Sequence, residues 1–273
     1  MNMRSEHPRL PYAVIATCSD NLGDDIQTLA AMQFLQKKGI QPAFVIDRER
    51  LSSYSGLACK LLMNGWFMHD LAFFPPPPQV TPIFISFHCA NEALIASHVA
   101  YFQAHQPIGC RDLHTVALLE KHGVQAYFTG CLTLTFDPGP VERVGRYTVD
   151  VNTCPYIPTV DVDLSVLGEH VLIHHDLQDA ALKTNVSQRL KVARALLAKY
   201  QQAELVVTSR LHVALPCRAF RTPCIFLHSD LKDTRFSGLE AILSGSDTLE
   251  NALSRIPDEL LVDVQRRFDA VTL

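Results

Sequence analysis

Short apolar runs alternate with longer stretches of helical periodicity along most of the chain. Ala13-Val14-Ile15-Ala16 reads as a buried strand, followed by a polar turn at Asp20-Asn21-Leu22-Gly23-Asp24. Ile26, Leu29, Ala30, Met32 and Leu35 then recur near helical spacing as far as Lys38, and Gly39 closes that helix. Phe44–Ile46, Leu61–Met63, Ile83–Phe87, Pro107–Gly109 and Ala126–Phe128 read as further strands. Asn64-Gly65-Trp66 reads as a turn after the third, and 90–104 and 113–123 as helices. The alternation restarts with strands at Tyr147–Val151, Val171–Ile173, Leu205–Val207 and Cys224–Leu227. Leu190, Ala193, Leu196, Leu197 and Tyr200 line one helix face, and another helix starts near Leu211. Leu260, Leu261, Val264 and Phe268 predict an amphipathic closing helix from Asp258.

Strand–helix alternation in both halves predicts an α/β protein with parallel sheets. Asp137-Pro138-Gly139-Pro140 interrupts any regular element and is the natural boundary. The expected organisation is two Rossmann-like lobes, 1–140 and 141–273, with a cleft between them. The first would be the acceptor side and the second the donor side, with the closing helix free to pack back on the first. Ligands of such sheets bind beyond the carboxyl ends of the strands, which directs attention to the polar turns there.

The chain has 273 residues, enough for a substantial core without disulfides or a structural metal. Lys and Arg number 24 against 28 Asp and Glu, a net charge of −4. That balance argues against a nucleic-acid partner bound through phosphates, but not against a local basic pocket. The eight cysteines form no Cys-x-x-Cys pair, and most sit in or beside apolar runs. With no signal-peptide pattern in Met1–Asp20 and no apolar run long enough to span a bilayer, a cytoplasmic protein with reduced thiols is expected.

Thr208-Ser209-Arg210-Leu211-His212 is the sharpest candidate site. It joins a strand to a helix, with Ser209 placed to cap. A helix N-terminus favours an anion, Arg210 adds a forked cation, and His212 could donate a proton. Arg111-Asp112 occupies the equivalent turn of the first half, Asp112 capping and Arg111 projecting. Asp24 could cap its helix or serve as a base, and the single glycine beside it excludes a dinucleotide fingerprint. Trp66, the only tryptophan, is either core or a stacking surface for a sugar ring. His174 and His175 are adjacent in a strand context and point to opposite faces, which disfavours joint metal ligation.

Taken in order, Asn21-Leu22-Gly23-Asp24, Arg111-Asp112 with Thr115, Gly130-Cys131-Leu132-Thr133, Ser209-Arg210-Leu211-His212 and Asp233-Thr234-Arg235-Phe236 resemble the polysaccharide pyruvyl transferase family. The resemblance implies a GT-B-like fold. It also implies transfer of the pyruvyl group of phosphoenolpyruvate to two hydroxyls of a sugar, giving a cyclic ketal in cell-surface polysaccharide biosynthesis. Donor-binding residues carry over onto Ser209, Arg210, Leu211 and His212, and onto Arg111. His212 is expected as the acid, Asp24 or Asp25 as the base, and Asn21, Asn64 and Trp66 as acceptor contacts. No cofactor or metal is expected. The partners are phosphoenolpyruvate and a sugar or lipid-linked saccharide; peripheral membrane association and homo-oligomerisation stay open. The rival readings are a GT-B glycosyltransferase using a nucleotide-sugar and a non-catalytic sugar- or anion-binding member.

Overall fold

The computed structural model describes residues 10–244, apart from 68–69, 156, 158, 163, 178, 229 and 231. The expected closing helix from Asp258 lies outside the described residues.

Six strands form the first sheet: β1 (Tyr12–Ala16), β2 (Phe44–Asp47), β3 (Cys59–Trp66), β4 (Val80–His88), β5 (Ile108–Cys110) and β6 (Ala126–Phe128). Four form the second: β7 (Arg146–Val149), β8 (Val171–Ile173), β9 (Leu205–Thr208) and β10 (Cys224–Phe226). All pairings within both sheets are parallel. The first sheet runs β2-β1-β3-β4-β5-β6 and the second β8-β7-β9-β10, so both begin with the same reversal of strand order. The reversal lies between β1 and β3 in one and between β7 and β9 in the other, where α/β sheets open a crevice for ligands.

The helices are α1 (Leu22–Lys37), α2 (Glu92–Ser97), α3 (Val99–Ala104), α4 (Leu113–Lys121), α5 (Val186–Gln202), α6 (Leu211–Ala219) and α7 (Glu240–Ser244). Side chains alternate across the first sheet. Ala13, Ile15, Leu61 and Met63 join a core with Leu94 and Ile95 of α2, Phe102 of α3 and Leu119 of α4. Val14, Leu62 and Ile85 face the other way, onto α1. That second core continues through Leu190 and Leu197 of α5 and Val213 of α6 to Val206 and Cys224 of the second sheet. Helices α1, α5 and α6 therefore lie between the sheets, and one apolar cluster takes residues from both.

This position explains α1, which is buried on nearly every face over its first three turns, Asp24, Asp25, Gln27 and Thr28 included, because it has neighbours on nearly every face. Asn21 caps it, accepting from the Gly23 N–H at 2.9 Å, and Asp24 and Asp25 favour its positive end. The helix thus starts at Leu22, a turn earlier than periodicity indicates. Apolar spacing is blind to a first turn that carries two acidic residues. At the other end Gly39 takes the left-handed φ of +73°.

Three further expectations are corrected. Asn64-Gly65-Trp66 is not a turn; β3 runs through it, with a shift of register between Met63 and Gly65. The predicted helix over 90–104 breaks at His98 into α2 and α3. The strand ending at Val151 stops at Val149, because Asp150 takes a positive φ of 51°. All eight cysteines are free thiols, seven of them buried. Among the described residues no helix is long and apolar enough to cross a membrane.

Candidate active site

A cavity of about 690 Å³ opens where the carboxyl ends of both sheets meet. Ser19 to Asp24 follow β1, Trp66 ends β3, His88 ends β4, and Arg111 follows β5. From the second sheet come His175 and Asp176 after β8, Ser209 to His212 after β9, and His228 after β10. Arg235, in a short 3-10 turn at Thr234–Phe236, completes the polar wall.

The two rims are stitched together. Asn21 and Asp176 form an antiparallel bridge, Leu22 N–H donates to the His175 carbonyl at 3.0 Å, and Leu177 N–H donates to the Asp20 carbonyl at 2.8 Å. Below them, Arg189 of α5 grips Asp25 of α1 with two hydrogen bonds of 3.0 and 2.7 Å, both side chains buried. Asp25 does not line the cavity. It holds the sheets together and is withdrawn as a candidate base.

Three arginines line the cavity. Arg210 spans the strand-order reversal of the second sheet. Its Nε donates to Asp150 at 2.7 Å and a terminal nitrogen to Asp176 at 2.5 Å. Burial opposes its charge, but Asp150 and then Asp176 outweigh burial and raise its pKa. Arg235 is held bidentately by Asp233 at 3.0 and 2.7 Å. Arg111 differs. It is buried, its Nε has no hydrogen-bond partner, and its ion contact among the described residues is Asp112 at 3.9 Å. Burial lowers its pKa, yet an arginine stays protonated. A buried, under-satisfied guanidinium is a strong demand for an anion.

Asp112 is occupied elsewhere. It caps α4, accepting from Thr115 N–H at 2.8 Å, and its other oxygen meets His88 Nδ1 at 2.5 Å. The carboxylate fixes the proton of His88 on Nδ1 and turns Nε2, buried and unpartnered, into a lone-pair acceptor. Burial and then Arg111 pull the His88 pKa down to about 4 despite Asp112. Sequence reasoning missed His88 by ending its strand at Phe87. The rule that ligands gather at strand carboxyl ends would have found it.

His175 and His212 are also buried, with ring nitrogens that find no partner. Burial and Arg210 lower His175 to about 3; burial and then Arg111 take His212 well below its ordinary value. His174, its ring half exposed, faces the other way and touches Asp150 at 3.4 Å. Arg210 rather than Ser209 is the N-cap residue of α6, and it makes no side-chain cap. Ser209 instead buries an unpartnered hydroxyl in the cavity wall. His212 sits in the first turn with a non-helical φ/ψ of −83°/18°, and Leu211 lines the cavity beside it.

A protein-family model described as polysaccharide pyruvyl transferase matches residues 21–230, and that span contains most of this wall. The chain belongs to the polysaccharide pyruvyl transferase family. A crystal structure of a functionally uncharacterised protein from Klebsiella pneumoniae shares the fold, with a TM-score of 0.50 at 15% identity over 85% of this chain and 89% of that one. No curated protein matches the chain closely enough to count as a relative.

The remaining residues expected in a pyruvyl transferase site divide. Asn21 and Trp66 reach the cavity, although the Asn21 oxygen is engaged as a cap. Asn64 does not line this cavity; its amide nitrogen donates to the Gln27 carbonyl at 3.0 Å behind α1. Asp24 lines the cavity, but Ser19 at 2.7 Å, Gln27 at 3.1 Å and Arg48 at 3.4 Å all hold its oxygens. His88, Asp150, Asp176, His175 and Arg235 join the site without having been assigned roles from sequence.

Proposed function

We propose that the protein is a cytoplasmic pyruvyl transferase of GT-B-like arrangement. It moves the pyruvyl group of phosphoenolpyruvate onto two hydroxyls of a sugar for cell-surface polysaccharide, with the sugar free or carried on a lipid. One observation carries the reading: the under-satisfied Arg111 guanidinium stands in a cavity that the buried imidazoles of His88, His175 and His212 also line. Phosphoenolpyruvate brings a carboxylate and a phosphate, the forked acceptors that an arginine binds best. Free thiols throughout suit a reducing compartment.

In this reading Arg111 anchors the donor, with the open face of Arg210 and the Ser209 hydroxyl completing its anion site. His212 delivers a proton to the methylene carbon, and the adjoining carbon becomes oxocarbenium-like. A sugar hydroxyl attacks that carbon while His88 Nε2 accepts the hydroxyl proton, the role for which Asp112 orients it. Phosphate leaves with the bond electrons. A second hydroxyl closes the ketal, and its proton departs on the phosphate. The carbon keeps the proton of His212, which solvent replaces, His88 returns the first hydroxyl proton to solvent, and phosphate carries off the second, so the step balances without an oxidant or reductant. His88 takes the base role expected of Asp24, whose oxygens are engaged; Asp24 keeps the Arg48 edge of the site in place. Trp66, at the β3 end of the cavity, offers an apolar face to the sugar.

The test is phosphate release from phosphoenolpyruvate with a panel of saccharides bearing paired hydroxyls. Saccharide-dependent release that is lost in Arg111→Ala supports the reading. Absence of phosphoenolpyruvate binding, with nucleotide-sugars raising the melting temperature instead, contradicts it.

A further inference from the structure

His212 must hold a proton to act as an acid, yet the protein groups that face it across the cavity disfavour one. From the end of β5 comes Arg111, its Nε without a hydrogen-bond partner and 3.9 Å from Asp112. His88 faces it from the end of β4, backed by Asp112, and His175 from beyond β8, backed by Asp150 through its backbone N–H at 3.1 Å. Arg235 stands on the 3-10 turn, with Asp233 holding it from behind. On the α1 side the neighbour is the bare backbone of Gly23, and the nearby Asp24 carboxylate is turned to Ser19, Gln27 and Arg48. No carboxylate contacts His212 among the described residues, and its Nε2 is buried with no partner. Burial followed by the Arg111 charge are the largest influences against protonation.

A donor anion seated on Arg111 reverses the sign of that surrounding. An opposite charge within about 4–6 Å favours the charged form of an imidazole. Phosphoenolpyruvate brings two anionic groups, and Arg111, always protonated, cannot take up a further proton to answer them.

We propose that binding of the anionic donor draws one proton from solvent onto His212, so that the acid and the group it protonates enter the site together. The inference rests on the donor assignment above and deepens it. It ties the competence of His212 as an acid to the presence of the donor.

Calorimetry of phosphoenolpyruvate binding at pH 8, in buffers of differing ionisation enthalpy, reads the proton directly. At that pH the phosphate of the ligand is already fully ionised, so uptake belongs to the protein. The expected slope approaches one proton taken up per donor bound, with affinity falling about tenfold per pH unit where uptake is complete. In His212→Gln, still folded by its thermal transition, the slope should fall to near zero. Binding without proton uptake in the wild type overturns the inference and leaves the donor assignment standing. An unchanged slope in His212→Gln also overturns it, by placing the proton on another group. Failure of phosphoenolpyruvate to bind at all overturns the donor assignment and the inference together. Histidine ¹⁵N spectra of the wild type need no variant: one imidazole should become charged on adding phosphoenolpyruvate, and none doing so overturns the inference.

Discussion

Gly23 lies against His212: a Cβ placed on the glycine would stand 3.1 Å from the His212 Cβ and 3.2 Å from its Nδ1. It would also stand 2.9 Å from the Asn21 oxygen that caps α1. The first turn of a helix from one half thus forms the seat of the imidazole from the other. Gly23→Ala should displace His212, and a displacement of about 1 Å can cost up to about 10²-fold in rate. Overpacking should cost about 1–3 kcal/mol of stability. Transfer kinetics beside urea unfolding check this; wild-type turnover in Gly23→Ala would remove the glycine from the site's geometry.

The pairing of Asp112 with His88 yields a second prediction. Asp112→Asn keeps the shape but releases the Nδ1 tautomer, so turnover should fall by about 10²–10⁴-fold, the usual worth of a positioned acid or base. Donor affinity should not fall, because removing the carboxylate 3.9 Å from the Arg111 Nε leaves that guanidinium still more in need of an anion. A loss confined to affinity, with turnover intact, would make Asp112 a donor-site residue only.

Arg189 and Asp25 tie the halves from outside the cavity. Arg189→Leu leaves a buried carboxylate without its partner and should destabilise by about 3–5 kcal/mol. Arg189→Leu with Asp25→Leu should recover much of that loss. A double variant no more stable than the single one would mean that the pair does not act as a unit.

The buried imidazoles set the acid limb of stability. His88 and His175 titrate near 4 and 3 in the folded protein, against an ordinary value of 6.5. Between pH 6.5 and pH 4 the unfolded chain therefore binds protons that these two side chains refuse when folded. Stability rises with pH across that window and is lost as pH falls through it, by about 3 kcal/mol for His88 alone at pH 4. Urea midpoints at pH 7 and 4.5 check the slope, and equal midpoints would show that the imidazoles are not held neutral.

Much of this was legible in the chain. The switch between runs such as Ala13–Ala16 and the helical spacing that follows fixed the element order and the parallel sheets. Asn21, Arg111, Ser209 and His212 could be placed at strand ends because polar residues interrupt the apolar pattern there. What was not legible depends on neighbours across the sheets. Asp150 reads as a strand residue, and only the pairing of Val149 with Thr208 brings it to Arg210. Asp25 and Asp24 are adjacent and alike in sequence, yet one turns to α5 and the other to the cavity. The apolar spacing of α1 does not reveal its second neighbour, which lies some 160 residues further on, at Arg189.

The most direct test of the whole account is a crystal structure with phosphoenolpyruvate bound. It should show the donor anion within about 3 Å of the Arg111 guanidinium. The methylene carbon should face His212 Nε2, and His88 Nε2 should point at the open side where a hydroxyl would arrive. Phosphoenolpyruvate seated away from Arg111, with that guanidinium still unsatisfied, would contradict the central claim.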